Sequence, residues 1–304
     1  MRTQSLIGNE GQNMKRATQA HYLGLVAVAC FFFANSLAHA DNIFVSNYDN
    51  RNNGGYLYEF DSAGNESNFA PGFTSAAGLA FDNSGNLYVA NIGGTIDKFD
   101  TNGNMSVFAS GLGAPRSLAC DSSGNVYVAC VSSNTVEKFD SSGNGVLFAS
   151  GLYDALACDS NGNLWGATIG AVYKFDSSGN RTLFATSGVH LPLGLAFDSA
   201  GNLYAANSST GTIEKFDSSG NGTVFASGIS VYGLAFDSSD NLYVATYGGN
   251  AIVEFDSNGH ESLLATLDHP QDIAVQITPE PATCVLVALG VIGLLASRRL
   301  RRQP

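Results

Sequence analysis

The stretch Gly194-Leu195-Ala196-Phe197-Asp198-Ser199-Ala200-Gly201-Asn202-Leu203-Tyr204 consists of two short apolar runs joined by Asp-x-x-Gly-Asn. Asp accepts hydrogen bonds from turn backbone. Gly takes the left-handed conformation that a type I turn with a bulge requires. The stretch therefore predicts an antiparallel hairpin.

Moving outward, the same phrase returns as Leu79-Ala80-Phe81-Asp82, Leu118-Ala119-Cys120-Asp121, Leu156-Ala157-Cys158-Asp159 and Leu234-Ala235-Phe236-Asp237, and in degenerate form as Ile273-Ala274-Val275-Gln276. The steps are 39, 38, 39, 39 and 39 residues. Each repeat holds a second turn phrase, such as Lys215-Phe216-Asp217-Ser218-Ser219-Gly220-Asn221. One repeat thus predicts four strands: A over 195–197, B over 203–206, C over 213–216 and D over 223–226. Four-stranded units of about 40 residues are propeller blades.

Six blades with two turns each need twelve turns, and the sequence holds eleven, with Asp240 in place of one Gly and His260 in place of one Asn. The missing turn belongs to the first blade, which opens at strand B with Ile43-Phe44-Val45. Its strand A is expected from 273–275, so the first and last segments share a blade and no strand edge is left open at the seam. The expected fold is an all-β, six-bladed β-propeller of four-stranded antiparallel blades over 41–277, closed by N-terminal strands B, C and D with C-terminal strand A. A β-solenoid with a half-period near 19 residues fits less well, because the two half-repeats differ consistently.

Gly-Leu-Ala-Phe-Asp-Ser-x-Gly-Asn-Leu-Tyr and Ile-Glu-Lys-Phe-Asp-Ser-Ser-Gly-Asn resemble NHL repeats, and Pro115, Pro192 and Pro270 match the proline often found before strand A in that family. The resemblance covers about residues 42–277. It implies a propeller that binds proteins or RNA. Related six-bladed propellers include gluconolactonase-like metal-dependent lactonases and a streptogramin lyase, so the fold alone leaves function open.

The chain has 304 residues, 44% hydrophobic and only 13% charged, with a formal charge of −12. Residues 41–277 hold 7 basic and 24 acidic residues, 7 − 24 = −17, which excludes nucleic acid as an expected partner. Both ends read as addresses. Met14-Lys15-Arg16, an apolar run over 23–33 and Ala38-His39-Ala40 form a secretory signal over 1–40. Thr278-Pro279-Glu280-Pro281, an apolar segment over 282–297 and Arg298-Arg299-Leu300-Arg301-Arg302 resemble a PEP-CTERM sorting signal over 278–304. That resemblance implies a transmembrane helix over 282–297 with its arginines inside. It also implies transient anchoring in the inner membrane, cleavage near Pro279, Glu280 and Pro281 by an exosortase-type protease, and a cell-envelope or extracellular body.

Cys120, Cys130 and Cys158 are an odd set without metal spacing, and Cys120 and Cys158 take the Phe position of Leu-Ala-Phe-Asp as core residues. The strand order puts every Asp-x-x-Gly-Asn turn on one face and every variable B–C and D–A loop on the other. Variable loops on a rigid ring are where recognition is expected. Just before strand A, aligned positions read Ala77, Arg116, Asp154, Leu193, Tyr232 and Gln271, followed by Gly78, Ser117, Ala155, Gly194, Gly233 and Asp272. Arg116, Asp154, Tyr232 and Asp272 break the repeat with polar side chains and are expected ligand contacts at the mouth of the central channel. Solvated decoration or a plain Arg–Asp pair is the alternative.

His190 and His269 lie in D–A loops of the same face and supply general-base candidates. The loop 47–55, with Asp49, offers oxygen ligands for Ca²⁺, as do Asp154 and Asp272, although no metal-binding pattern is complete. In lactonase-like propellers Asn91 or Asn207 would join the two carboxylates. No nucleophile triad, Walker loop or zinc helix is present. The leading expectation is an exported, non-catalytic binding or scaffold module for an extracellular protein or exopolysaccharide, without a cofactor. The alternative is a metal-dependent gluconolactonase-like hydrolase or a streptogramin-lyase-like enzyme working at the channel mouth.

Overall fold

Each turn phrase builds its own hydrogen-bond cage. At 198–202 the Asp198 N–H donates to Asn202 O at 3.1 Å and the Gly201 N–H to Asp198 O at 3.0 Å. Asp198 Oδ1 accepts the Asn202 N–H at 2.8 Å, and Oδ2 accepts the Asn202 side-chain amide at 2.7 Å. Gly201 stands at φ 81°, where a Cβ is costly. The same backbone pair recurs at all eleven Asp-x-x-Gly-Asn phrases. Tyr204 and Lys215 also reach Asp198 Oδ2, at 3.3 and 3.2 Å, and the Lys215 ammonium lies 5.0 Å above the Tyr204 ring. One carboxylate thus ties the A–B turn to strands B and C.

The computed structural model describes residues 41–47, 55–73 and 75–277. Its strands, in chain order, begin with β1 (Asn42–Asn47), β2 (Gly55–Phe60) and β3 (Glu66–Phe73). The second blade is β4 (Ala76–Phe81), β5 (Leu87–Asn91), β6 (Thr95–Phe99) and β7 (Met105–Ser110). The third is β8 (Pro115–Cys120), β9 (Val126–Cys130), β10 (Thr135–Phe139) and β11 (Gly145–Ser150). The fourth is β12 (Ala155–Cys158), β13 (Leu164–Thr168), β14 (Ala171–Phe175) and β15 (Arg181–Ala185). The fifth is β16 (Pro192–Phe197), β17 (Leu203–Asn207), β18 (Thr212–Phe216) and β19 (Gly222–Ser227). The sixth is β20 (Val231–Phe236), β21 (Leu242–Thr246), β22 (Ala251–Phe255) and β23 (Glu261–Thr266).

The last strand, β24 (Pro270–Gln276), pairs antiparallel with β1, setting Asn42 opposite Gln276 and Val45 opposite Ile273. The first blade therefore reads β24-β1-β2-β3, and six four-stranded antiparallel blades close the ring. The protein is an all-β, six-bladed β-propeller. Strand A of each blade sits inward: β16 packs on β20 and on β12, and β20 on β24.

The core lies between blades, in six apolar clusters. Tyr204, Ala206 and Ile213 of the fifth blade meet Val231, Leu234 and Leu242 of the sixth. The Tyr204 ring stands edge-on to Phe225 at 5.3 Å and to Phe236 at 4.9 Å. Trp165 takes the same place in the fourth blade, edge-on to Phe184 and Phe197, with its Nε1–H donating to Asp159 Oδ2 at 3.0 Å. It is an inter-blade aromatic. Fully burying a ring of this size contributes about 1.5–3 kcal/mol. Cys120, Cys130 and Cys158 are free thiols, and burial pushes each of them up from its ordinary range.

Brackets join neighbouring blades on the turn face. Asp240, at φ 62° in place of Gly, accepts the Ser199 N–H at 2.8 Å and the Ser199 hydroxyl at 2.5 Å. At the seam, Asp41 Oδ2 accepts the same pair of groups from Ser238, at 3.2 and 2.8 Å.

Strand A is longer than its apolar core predicts. It starts at Pro192 rather than Leu195, because Pro192 already pairs with Asn207 before the register shifts at Leu193. Residues 1–40 and 278–304 lie outside the described residues, as do the expectations placed on them: the secretory signal, the motif Pro279, Glu280 and Pro281, and the segment 282–297. No helix among the described residues is long and apolar enough to cross a membrane.

Candidate functional site

That register shift recurs at the start of strand A around the ring. It falls between Ala76 and Leu79, Pro115 and Ser117, Pro192 and Gly194, and Val231 and Leu234, and opposite Ser46/Asn47 in the closing blade. The extra residues are Ala77, Arg116, Leu193, Tyr232 and Gln271. A bulge leaves its extra residue out of the ladder and re-aims its side chain. In the fourth blade Asp154 holds the same place, its N–H donating to Ala167 O at 2.9 Å just before β12. All six residues, with Ser117 and Asp272, line one recess of about 30 Å³. Four expected site residues, Arg116, Asp154, Tyr232 and Asp272, thus come together at the channel mouth.

Close approach of the inner strands explains the small residues beside them. A Cβ on Gly194 would lie 2.4 Å from Tyr232 O, and one on Gly233 would meet Asp272 Oδ1 at 2.6 Å. The two polar side chains among these positions bond to the next blade. Ser117 Oγ accepts the Leu156 N–H at 2.9 Å, and Asp272 Oδ2 accepts the Leu79 N–H at 2.8 Å.

The electrostatics are uneven. Arg116 Nη1 lies 3.3 Å from Asp154 Oδ1, with the guanidinium partly open to solvent and the carboxylate 8% exposed. Asp154 Oδ2 is buried without a hydrogen-bond partner among the described residues. Loss of solvation raises the Asp154 carboxyl above the usual range, and Arg116 only partly opposes this. Asp272 is pushed up to about 7 by the same desolvation, against the pull of the Leu79 and Ile273 amides.

Beyond the recess, Tyr232 stacks on Tyr247 with ring centroids 4.8 Å apart and planes 21° apart. Tyr247 meets the His269 ring at 4.9 Å. Tyr247 heads a B–C loop and was not among the expected site residues. Its aligned positions read Tyr48, Ile92, Val131, Ile169 and Ser208, so the repeat did not single it out, and its contact with Tyr232 was not visible.

His190 does not line the recess. Its neighbour Val189 is buried, which leaves His190 exposed, and its N–H donates to Asn207 Oδ1 at 2.9 Å. Asn91 and Asn207 do not line it either. Both are buried at the ends of β5 and β17, where Asn91 Nδ2 donates to Asp97 Oδ2 at 2.6 Å and Asn207 Nδ2 to Gly188 O at 2.8 Å. Asp49 lies outside the described residues.

The recess does not suit a divalent metal. No group of three or more His, Cys, Asp or Glu converges among the described residues. One Asp272 oxygen is taken by Leu79, and the Arg116 guanidinium already faces Asp154. A second recess, about 630 Å³, opens on the turn face between the fourth and fifth blades, beside Trp165 and Phe184. Its carboxylates Asp159, Asp176 and Asp217 are bonded within their own turns.

The profile of the SMP-30/Gluconolactonase/LRE-like region matches residues 168–278, or 111 of 304 residues. This span contains Tyr232, Tyr247, His269 and Asp272 and leaves out Arg116 and Asp154. No curated protein sequence matches the chain. Among solved structures, a chain of a nidogen/laminin complex superposes with a TM-score of 0.68 at 17% identity, covering 78% of this chain and 98% of that one. A gluconolactonase from Xanthomonas campestris gives 0.57 at 17% identity, over 65% and 78%. Virginiamycin B lyase from Staphylococcus aureus gives 0.53 at 14% identity, over 65% and 73%. At these identities the likeness is one of fold.

Proposed function

We propose that the ring is a hydrolase of small cyclic esters, with its reaction centre in the recess at the channel mouth. The observation that carries this reading is the buried, unpartnered Oδ2 of Asp154 in a recess it shares with Arg116. The partial match to the gluconolactonase-type profile supports the reaction class.

A space of about 30 Å³ takes one or two waters and no substrate. The recess therefore holds the nucleophile, and the ester lies over it on the variable face. The Asp154 carboxylate accepts a proton from that water as the water oxygen attacks the carbonyl carbon. Arg116 donates to the carbonyl oxygen, which gains negative charge as the tetrahedral centre forms. The ring C–O bond then breaks, and the Asp154 proton passes to the departing alkoxide, giving a hydroxy acid. A carboxyl raised by desolvation is a better base than an exposed one. The sequence of steps uses no metal.

Assays of the full chain against a panel of five- and six-membered lactones test this. Ring opening that disappears in Asp154→Asn is expected. Turnover unchanged by Asp154→Asn, or no turnover of any lactone, defeats it.

A second reading, a non-catalytic binding or scaffold module, is favoured by the match over nearly all of a chain from the nidogen/laminin complex. In either reading we propose export to the cell envelope, with the C-terminal segment as the substrate of an exosortase-type protease. Fractionation of cells carrying wild-type chain and a Pro279/Glu280/Pro281 triple-alanine variant tests the address. Equal processing of the two counts against it.

A further inference from the structure

Among the six aligned mouth positions Tyr232 alone is aromatic. Its ring begins a row of three, stacked on Tyr247, whose ring in turn meets that of His269. The row is pinned from the backbone: the His269 N–H donates to Asn250 Oδ1 at 3.0 Å, and the Gly248 N–H to Ser230 Oγ at 3.1 Å. Tyr232 is thus a braced wall of the recess. Its hydroxyl has no hydrogen-bond partner among the described residues.

The same face carries exposed apolar side chains on other blades. Ile92, Leu152 and Ile169, all in B–C or D–A loops, are 41%, 41% and 64% exposed, and Leu193 lines the recess itself. Three polar groups of the recess are already committed: Ser117 Oγ to the Leu156 N–H, Asp272 Oδ2 to the Leu79 N–H and Asp154 Oδ1 to Arg116. A polyhydroxylated ring needs a partner for every hydroxyl it buries, and these commitments leave it fewer. A flat ring needs only a face to stack on.

We infer that the ligand of this site is a cyclic ester with an aromatic or flat unsaturated ring, carried on Tyr232, and that sugar lactones are poor ligands. The ester half of this inference rests on the hydrolase reading. The flat-ring half rests on the aromatic row.

Calorimetric titration of the full chain with coumarin and with glucono-1,5-lactone separates the two halves. The expected result is coumarin binding at least tenfold tighter than glucono-1,5-lactone. Tyr232→Leu, which keeps apolar volume but loses the ring face, is expected to weaken coumarin binding about tenfold, while Tyr232→Phe stays within threefold. Glucono-1,5-lactone binding as tightly as coumarin, indifference of coumarin to Tyr232→Leu, or no binding of either overturns the inference. Turnover is scored separately on dihydrocoumarin. Coumarin binding through Tyr232 without lactone turnover leaves the flat-ring site standing and removes the hydrolase. Hydrolysis of glucono-1,5-lactone faster than dihydrocoumarin does the reverse.

Discussion

Asp272 and Leu79 lie 193 residues apart in sequence, and the Asp272 carboxylate accepts the Leu79 amide at 2.8 Å. The Asp272 N–H in turn donates to Ser46 Oγ at 3.1 Å, and that hydroxyl donates to Ala77 O at 2.8 Å. Three segments that meet only when the ring closes are thus held by one small network.

Burial of Asp272 makes stability depend on pH in a defined direction, against the pull of the amides that bond to it. The Asp272 carboxyl is raised from 3.8 to about 7 in the folded chain. Its contribution is fully present below about pH 3.8 and is lost as pH rises toward 7. The exposed turn carboxylates Asp61, Asp100, Asp140, Asp176, Asp217 and Asp256 are lowered by their Asn or His partners, so they act below 3.8. Denaturant midpoints of wild type should therefore fall between pH 4 and 7, and Asp272→Asn should flatten that slope. Asp272→Ala, which strands the Leu79 amide, should cost about 1–3 kcal/mol at pH 4.

Asp240 tests whether the turns also join blades. As a turn residue alone, Asp240→Gly would relieve a positive φ and stabilise the chain. The structure gives Asp240 two bonds to Ser199 in the next blade. Losing them should outweigh the relief, for a net loss of about 1 kcal/mol in urea unfolding with an unchanged m-value.

The reaction centre predicts a pH-rate profile. Lactone hydrolysis should rise with pH as Asp154 ionises, through a midpoint above 3.8 because burial raises that group. Asp154→Asn should remove the rising limb and lower kcat by about 10²–10⁴. Arg116→Gln should lower kcat by about 10²–10³. Stopped-flow or pH-stat traces between pH 4 and 8 resolve these effects.

Ring closure can be stapled. Asn42 and Gln276 face each other across β1 and β24 and are only half-buried, so Asn42→Cys with Gln276→Cys removes little core. Oxidation should raise the unfolding free energy by about 2–4 kcal/mol, reversed by reductant. No gain on oxidation would place the two strands too far apart to bridge.

The ring was legible in the sequence because its turns are local: an Asp, a Gly and an Asn within five residues supply every bond that the hairpin needs. Closure was legible because the eleven turns left one strand unassigned at each end. The polar mouth positions could be aligned by repeat phase, and the bulges then carry their side chains to one recess. Contacts set by blade-to-blade geometry were not legible. The bracket from Asp240 to Ser199 spans 41 residues, and the row of Tyr232, Tyr247 and His269 depends on how three loops fold over one another. His190 aligned near the mouth, but its buried neighbour Val189 fixes the loop the other way.

Because β1 and β24 run antiparallel with Asn42 opposite Gln276, the first and last described residues emerge side by side at one corner of a single blade. Tension between them loads the ladder rungs one at a time, perpendicular to the strands, instead of shearing all of them together. The seam is therefore the mechanical fuse of the molecule. Pulling on the two ends is expected to peel β24 away first, since the other five blades each hold four strands of their own.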